Sequence, residues 1–119
     1  MQADFPAAKA RRYRPRRTTA DRLREALIAL AEAQPTILTH EEKAWASITF
    51  SGTRHELLLD FDGPEAVAAG ERFIAALPDH EFALAGQLVA DASVQAVDHS
   101  LVPAPRMLVT VAALLLDDG

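Results

Sequence analysis

The sequence predicts an α+β domain in which two helices cover one face of a four-stranded antiparallel sheet. Three observations predict it: a helical apolar period over 19–33, a switch to a period of two after residue 42, and a second helix, strand, strand series that repeats the first. At 119 residues, half of them hydrophobic, the chain has the size of one such domain. We expect the αββαββ domain to span 18–119, after a basic arm over 1–17.

The first helix is predicted by its ends as much as by its middle. Thr18 followed by Asp21 matches a capping box, and apolar residues then recur at helical spacing. Gln34 and Pro35 end the pattern, so the helix is expected over 19–33.

The first hairpin is predicted by alternation. Apolar residues alternate from Ala44 to Phe50 and again from His55 to Phe61, with Gly52-Thr53 suited to a two-residue type II′ turn between them. This turn would place Phe50 opposite His55 and Ala44 opposite Phe61, so that both apolar faces coincide.

The second half repeats this order. Asp62-Gly63-Pro64-Glu65 is a typical helix start, and an apolar stripe runs from Val67 to Leu77 before Pro78. A strand over 82–96, a loop over 98–105 and a strand over 107–115 follow. A right-handed crossover then gives the strand order 1-2-4-3, a circular permutation of the ferredoxin-like arrangement.

Charge is divided unevenly along the chain. Residues 1–24 carry eight basic and two acidic side chains, whereas residues 25–119 carry four basic and fifteen acidic ones. The basic arm could bind the phosphates of RNA or DNA, dock on acidic protein surface, or remain solvated; we favour docking because the acidic body is the nearer counter-charge. Its candidate binding residues are Arg11, Arg12, Tyr13, Arg14, Arg16 and Arg17.

The composition and the absence of known motifs argue against several function classes. The chain has no cysteine, which excludes disulfides, thiolate nucleophiles and iron–sulfur clusters. It carries no nucleophile elbow, glycine-rich phosphate loop or His-Glu-x-x-His motif, so we predict no catalytic residue, metal ligand or cofactor and leave open whether it is an enzyme. No apolar run is long enough to cross a membrane, so we expect a cytoplasmic protein without a membrane partner.

The histidines are interpreted as structural. His40 and His80 begin edge strands at opposite ends of the predicted sheet, too far apart to share one ion. His55 is expected at the rim of the inward face beside Phe50.

Two sets of residues remain as candidate sites. At one end of the sheet, a carboxylate, an imidazole and a guanidinium could hold an ion or a polar ligand, although a helix cap, an ion pair and solvation explain the same residues. They are Asp62, Asp98, His99 and Arg106. On the outer face, an apolar patch indicates an interface formed by Trp45, Leu58, Val89, Leu108, Leu114 and Leu116.

From these features we predict a binding or assembly module that forms homo-oligomers, dimers or larger, through the outer sheet face or the exposed edge of the third strand. We expect the same surface to bind a protein partner or a small ligand. Two other functions stay open: a nucleic-acid-associated or ribosome-associated protein that uses the arm, and an enzyme with a polar site at the 98–105 loop.

Overall fold

In the computed structural model, which describes residues 17–118, two helices pack on one face of a four-stranded antiparallel sheet. The elements are α1 (Thr19–Leu30), β1 (Thr36–Ala46), β2 (Ser51–Asp62), α2 (Pro64–Ala76), a 3-10 turn (Leu77–Asp79), β3 (Gln87–Ser100) and β4 (Arg106–Asp117). The strand order β1-β2-β4-β3 confirms the predicted α+β sandwich. This order is compatible with a permuted ferredoxin-like arrangement. Among the described helices, none is long and apolar enough to cross a membrane.

The core lies between the helices and the face of the sheet that we call the inner face. Odd-numbered residues of β2 and β4 point into it, because alternate side chains of a strand share one face. From the helices, α1 contributes Leu23 and Leu27, and α2 contributes Phe73. The strand residues of this hydrophobic core are Leu57, Leu59, Phe61, Met107, Val109, Val111, Ala113 and Leu115.

The capping box at the start of α1 is confirmed. The Thr18 hydroxyl accepts a hydrogen bond from the Asp21 backbone N–H at 3.0 Å, and the Asp21 carboxylate accepts one from the Thr18 backbone N–H at 3.0 Å. The helix ends at Leu30, three residues earlier than predicted. Glu32 and Ala33 have φ of 60° and 59°, a left-handed conformation that turns the chain toward β1.

The predicted register of the first hairpin is wrong. Ala46 pairs with Ser51, and the chain turns through Ser47–Phe50. Ser47 holds that turn, because its backbone N–H donates to the Phe50 carbonyl and its hydroxyl accepts from the Phe50 N–H. Gly52 lies inside β2, where an added Cβ would be 2.0 Å from the Leu115 carbonyl oxygen of β4. The glycine therefore allows close approach of two strands and does not form the turn.

Two β-bulges in β3 also alter the predicted faces. The register shifts between Val89 and Asp91 and again between Val94 and Ala96. Each shift reverses the alternation, so Val89, which we predicted on the outer face, packs against the core instead. β3 starts at Gln87, five residues later than predicted, and extends to Ser100, so the loop before β4 is 101–105.

Helix α2 approaches the sheet closely through Gly70. A Cβ at this position would lie 2.4 Å from the Met107 methyl carbon and 2.9 Å from the Phe61 ring. Any other residue would push α2 away from β2 and β4, so Gly70 sets the depth of the core under this helix.

Candidate functional site

The most unusual polar group of the domain lies on the inner face. β1 places His40 and Glu42 on this face because they are two residues apart, and the register pairs Glu42 directly with His55 of β2. We call His40, Glu42 and His55 the histidine cluster. Above it, Arg24 extends from α1.

A chain of two hydrogen bonds connects Arg24 to His40 and His40 to His55. The Arg24 Nη1 is 2.8 Å from His40 Nδ1, and His40 Nε2 is 2.9 Å from His55 Nδ1. A guanidinium can only donate, so His40 Nδ1 accepts. A neutral imidazole carries one proton, and that of His40 is therefore on Nε2 and is donated to His55 Nδ1. The proton of His55 is then on its own Nε2.

His55 is buried at a cost. Its side chain is 1% exposed, and its Nε2 has no hydrogen-bond partner among the described residues. A buried donor without a partner loses its hydration and gains nothing in return. His55 is thus the one polar residue among the fully buried side chains of residues 17–118, and half of its hydrogen-bonding capacity is unused.

The cluster favours neutral histidines. Burial lowers the pKa of His40; the neighbouring His55 and Arg24 lower it further, while the Glu42 carboxylate opposes them. Burial likewise lowers the pKa of His55, against the effect of Glu42 and with a smaller lowering by Arg24. Both imidazoles are therefore neutral at pH 7. The one nitrogen lone pair of each accepts a hydrogen bond, at His40 Nδ1 from Arg24 and at His55 Nδ1 from His40.

The histidine cluster has the donor set of a metal site. Each of its three residues offers one ligand atom, and these atoms all lie within 4.8 Å of one another. In the part of the chain that the structure describes, no other three histidine or carboxylate side chains meet this condition. Arg24 is anchored on its other side by Asp21, with which it forms an ion pair.

The predicted polar site is only partly assembled. Asp62 pairs with Arg106 across β2 and β4, but the Arg106 guanidinium donates to Asp60, with distances of 3.0 and 2.8 Å to the two carboxylate oxygens. This partner raises the pKa of Arg106 above its ordinary value. Asp98 and His99 are consecutive residues of β3 and so lie on opposite faces of the sheet. The four residues therefore do not surround one point.

The outer face carries the predicted apolar patch with one exception. Trp45, Leu58, Leu108, Leu114 and Leu116 share this face, whereas Val89 lies on the inner one. Leu88, 55% exposed, takes the place of Val89 in the patch. No element of residues 17–118 covers the outer face, because both helices are on the other side.

Of the predicted arm, only Arg17 belongs to the described residues. It forms an ion pair with Glu25 of α1. Arg11, Arg12, Tyr13, Arg14 and Arg16 lie outside the described residues, so their predicted docking stays a prediction.

The histidine cluster is the feature that sequence reasoning missed. In the predicted register His55 stands opposite Phe50, eight residues away from its true partner Glu42. The available signal was that His40 and Glu42 continue the even-numbered alternation of Ala44 and Ala46 toward the start of β1.

Comparisons with protein-family models, curated proteins and solved structures gave no match to this chain.

Proposed function

We propose that this protein is a homodimeric binding module whose two copies pack through their outer sheet faces. The observation that carries the proposal is the apolar outer face, which a two-layer αββαββ domain leaves uncovered. A second copy is the occupant that the pattern of side chains favours.

A two-fold axis parallel to the strands, centred between β2 and β4, gives the best match. It places β1 of one copy over β3 of the other and β2 over β4, with the same cross-strand rows facing each other. Sheets that pack face to face in this aligned manner are about 10 Å apart and rotated by roughly 30°.

Facing side chains in this arrangement complement each other. Trp45 meets Leu88 of the second copy, and Leu116 lies over Gly52 of the second copy, which has no side chain. Lys43 meets Asp91. In the row at the end of the sheet, Asp62 of one copy meets Arg106 of the other. These two residues do not belong to the apolar patch.

The alternative axis, perpendicular to the strands, is disfavoured. It places each strand over itself in reverse, which brings Asp91 of one copy against Asp98 of the other. Like charges facing each other across an interface oppose association. The parallel axis sets no two like charges opposite each other in the paired rows of residues 36–117.

The face is also large enough. Four strands about 4.8 Å apart and rows that span roughly 34 Å give a flat footprint of about 650 Å². Stable interfaces bury about 800 Å² of accessible surface per partner, and side-chain relief makes accessible area larger than a flat footprint.

The test is the mass of the full chain by sedimentation equilibrium. We expect twice 12.9 kDa at tens of micromolar. Leu88→Asp and Lys43→Glu should each shift the mass toward the monomer, because they place a carboxylate against Trp45 or Asp91 of the second copy. Both residues are exposed in the single chain, so folding should be preserved, as circular dichroism would verify.

Leu101→Asp is the matched control. Leu101 is 68% exposed but lies in the loop after β3, beyond the last paired row of the sheet, so this variant should remain dimeric. A monomeric parent protein, or equal effects of Leu88→Asp and Leu101→Asp, would contradict the proposal.

A further inference from the structure

We infer that the histidine cluster binds a divalent transition-metal ion of the zinc class through His40, Glu42 and His55. This inference is independent of the proposed dimer, because the cluster lies on the inner face. It rests on the donor set, on the spacing of the donor atoms and on the free energy lost by burying His55 with its Nε2 unpaired.

Two imidazole nitrogens and one carboxylate oxygen are a typical set for zinc and its neighbours in the first transition row. Catalytic and open zinc sites use three protein ligands of these types, with water in the fourth position. Calcium and magnesium prefer oxygen ligands only, so the cluster should discriminate against them.

The spacing already approaches that of a coordination shell. His40 Nε2 and His55 Nδ1 are 2.9 Å apart, whereas two nitrogens bound to one tetrahedral zinc ion are about 3.3 Å apart. A small separation of the two rings therefore suffices. Because both residues lie on paired strands, the sheet holds their backbones in place.

Glu42 provides the open side of the site. It is exposed, whereas His40 is half-buried and His55 is fully buried, so the donors extend from the interior of the sheet to solvent. An ion can enter past Glu42, and water can complete its coordination there.

Arg24 opposes metal binding, so the inference predicts that removing Arg24 tightens the binding of the ion. While His40 Nδ1 accepts from Arg24, the proton of His40 occupies Nε2, the atom that would bind the metal. Coordination at Nε2 requires this proton to move to Nδ1, which then can no longer accept from Arg24. Arg24 must turn away, and Asp21 is the partner that retains it.

The first experiment measures binding of Zn²⁺ to the untagged 119-residue chain by calorimetry, with Mg²⁺ for comparison. We expect one Zn²⁺ per chain, a melting temperature that rises with Zn²⁺ concentration, and no response to Mg²⁺. The absorption spectrum with Co²⁺ provides a second readout, since its bands report nitrogen and oxygen ligands.

Variants separate the site from other histidines. His40→Ala and Glu42→Gln should weaken Zn²⁺ binding at least tenfold, whereas His99→Ala, which removes an exposed histidine of β3, should leave it unchanged. Arg24→Gln should tighten binding roughly tenfold, the effect of removing one positive charge about 6 Å from a divalent ion with water-like screening. Arg72→Gln is its matched control, because Arg72 is an exposed α2 residue paired with Glu32.

Three results would overturn the inference. The first is the absence of Zn²⁺ binding to the parent protein at an ion concentration of about 100 micromolar. The second is binding that survives His40→Ala. The third is an Arg24→Gln variant that binds Zn²⁺ more weakly than the parent.

Discussion

Replacing His55 with leucine should stabilise the protein. The buried Nε2–H of His55 has no partner, and an unsatisfied buried donor costs about 1–3 kcal/mol. The change also removes the hydrogen bond from His40, but His40 is half-buried and its N–H can turn to water, which limits this loss to about 1 kcal/mol. Leucine is close to histidine in size and adds apolar contact with the core.

The expected net gain is about 1 kcal/mol in the free energy of unfolding. For a domain of this size, that corresponds to a rise of about 4 °C in melting temperature. Thermal and urea unfolding should be compared at pH 8, with chelator present and at equal protein concentration, so that neither metal nor dimer formation differs between samples.

The control is His99→Leu, which makes the same chemical change at an exposed position of β3 and should alter stability by less than about 0.5 kcal/mol. If His55→Leu destabilised the protein by more than about 1 kcal/mol, the argument would fail. That result would mean that His55 Nε2 has a hydrogen-bond partner in solution, or that the hydrogen bond from His40 to His55 stabilises the fold by more than the burial of His55 costs.

Three further predictions concern the same fold. The folded-state pKa of His55 lies below its ordinary value of 6.5, so the unfolded chain takes up a proton first as pH falls. Stability should be complete above about pH 6.5 and decline below it, and urea unfolding at several pH values should show a shallower decline for His55→Leu. Gly70→Ala should lower the melting temperature, because the new methyl group meets Phe61 and the overpacking cost of ~1–3 kcal/mol exceeds the ~1 kcal/mol gain in helix propensity. Thr18→Ala should cost about 1 kcal/mol in urea unfolding, since it removes the side-chain acceptor for the Asp21 N–H.

The architecture was predictable because apolar periodicity reports which face a side chain occupies. β2 and β4 pair without a register shift, and their apolar odd-numbered residues form the core as expected. The capping box at Thr18 and the start of α2 at Pro64 were also predictable, since both depend on residues within one helical turn.

The register of the first hairpin could not be obtained in this way. The predicted and observed registers differ by eight residues, an even number, so every side chain keeps its face in both. Hydrophobic patterning therefore does not distinguish them. The choice depended on Gly52, and a glycine that permits close approach to Leu115 has the same sequence signature as a glycine in a turn.

That error concealed the histidine cluster. In the predicted register β1 is displaced by eight residues, so the predicted hairpin does not bring His40 and Glu42 beside His55. The wrong face predicted for Val89 has a different cause, a β-bulge. Nothing local in the sequence marks the register shift after Val89 that moves this residue from the outer face to the core.

The dimer is tested most directly by cross-linking between defined positions of two copies. The chain has no cysteine, so Lys43→Cys and Asp91→Cys each introduce a single thiol. Facing sheets are about 10 Å apart, and a bismaleimide of that reach should link the two thiols when the variants are mixed. We expect a product of twice the chain mass from the mixture and almost none from either variant alone, because identical positions lie at opposite edges of the paired sheets. A mixture without product, or single variants that cross-link as well as the mixture, would contradict the proposed packing of the outer faces.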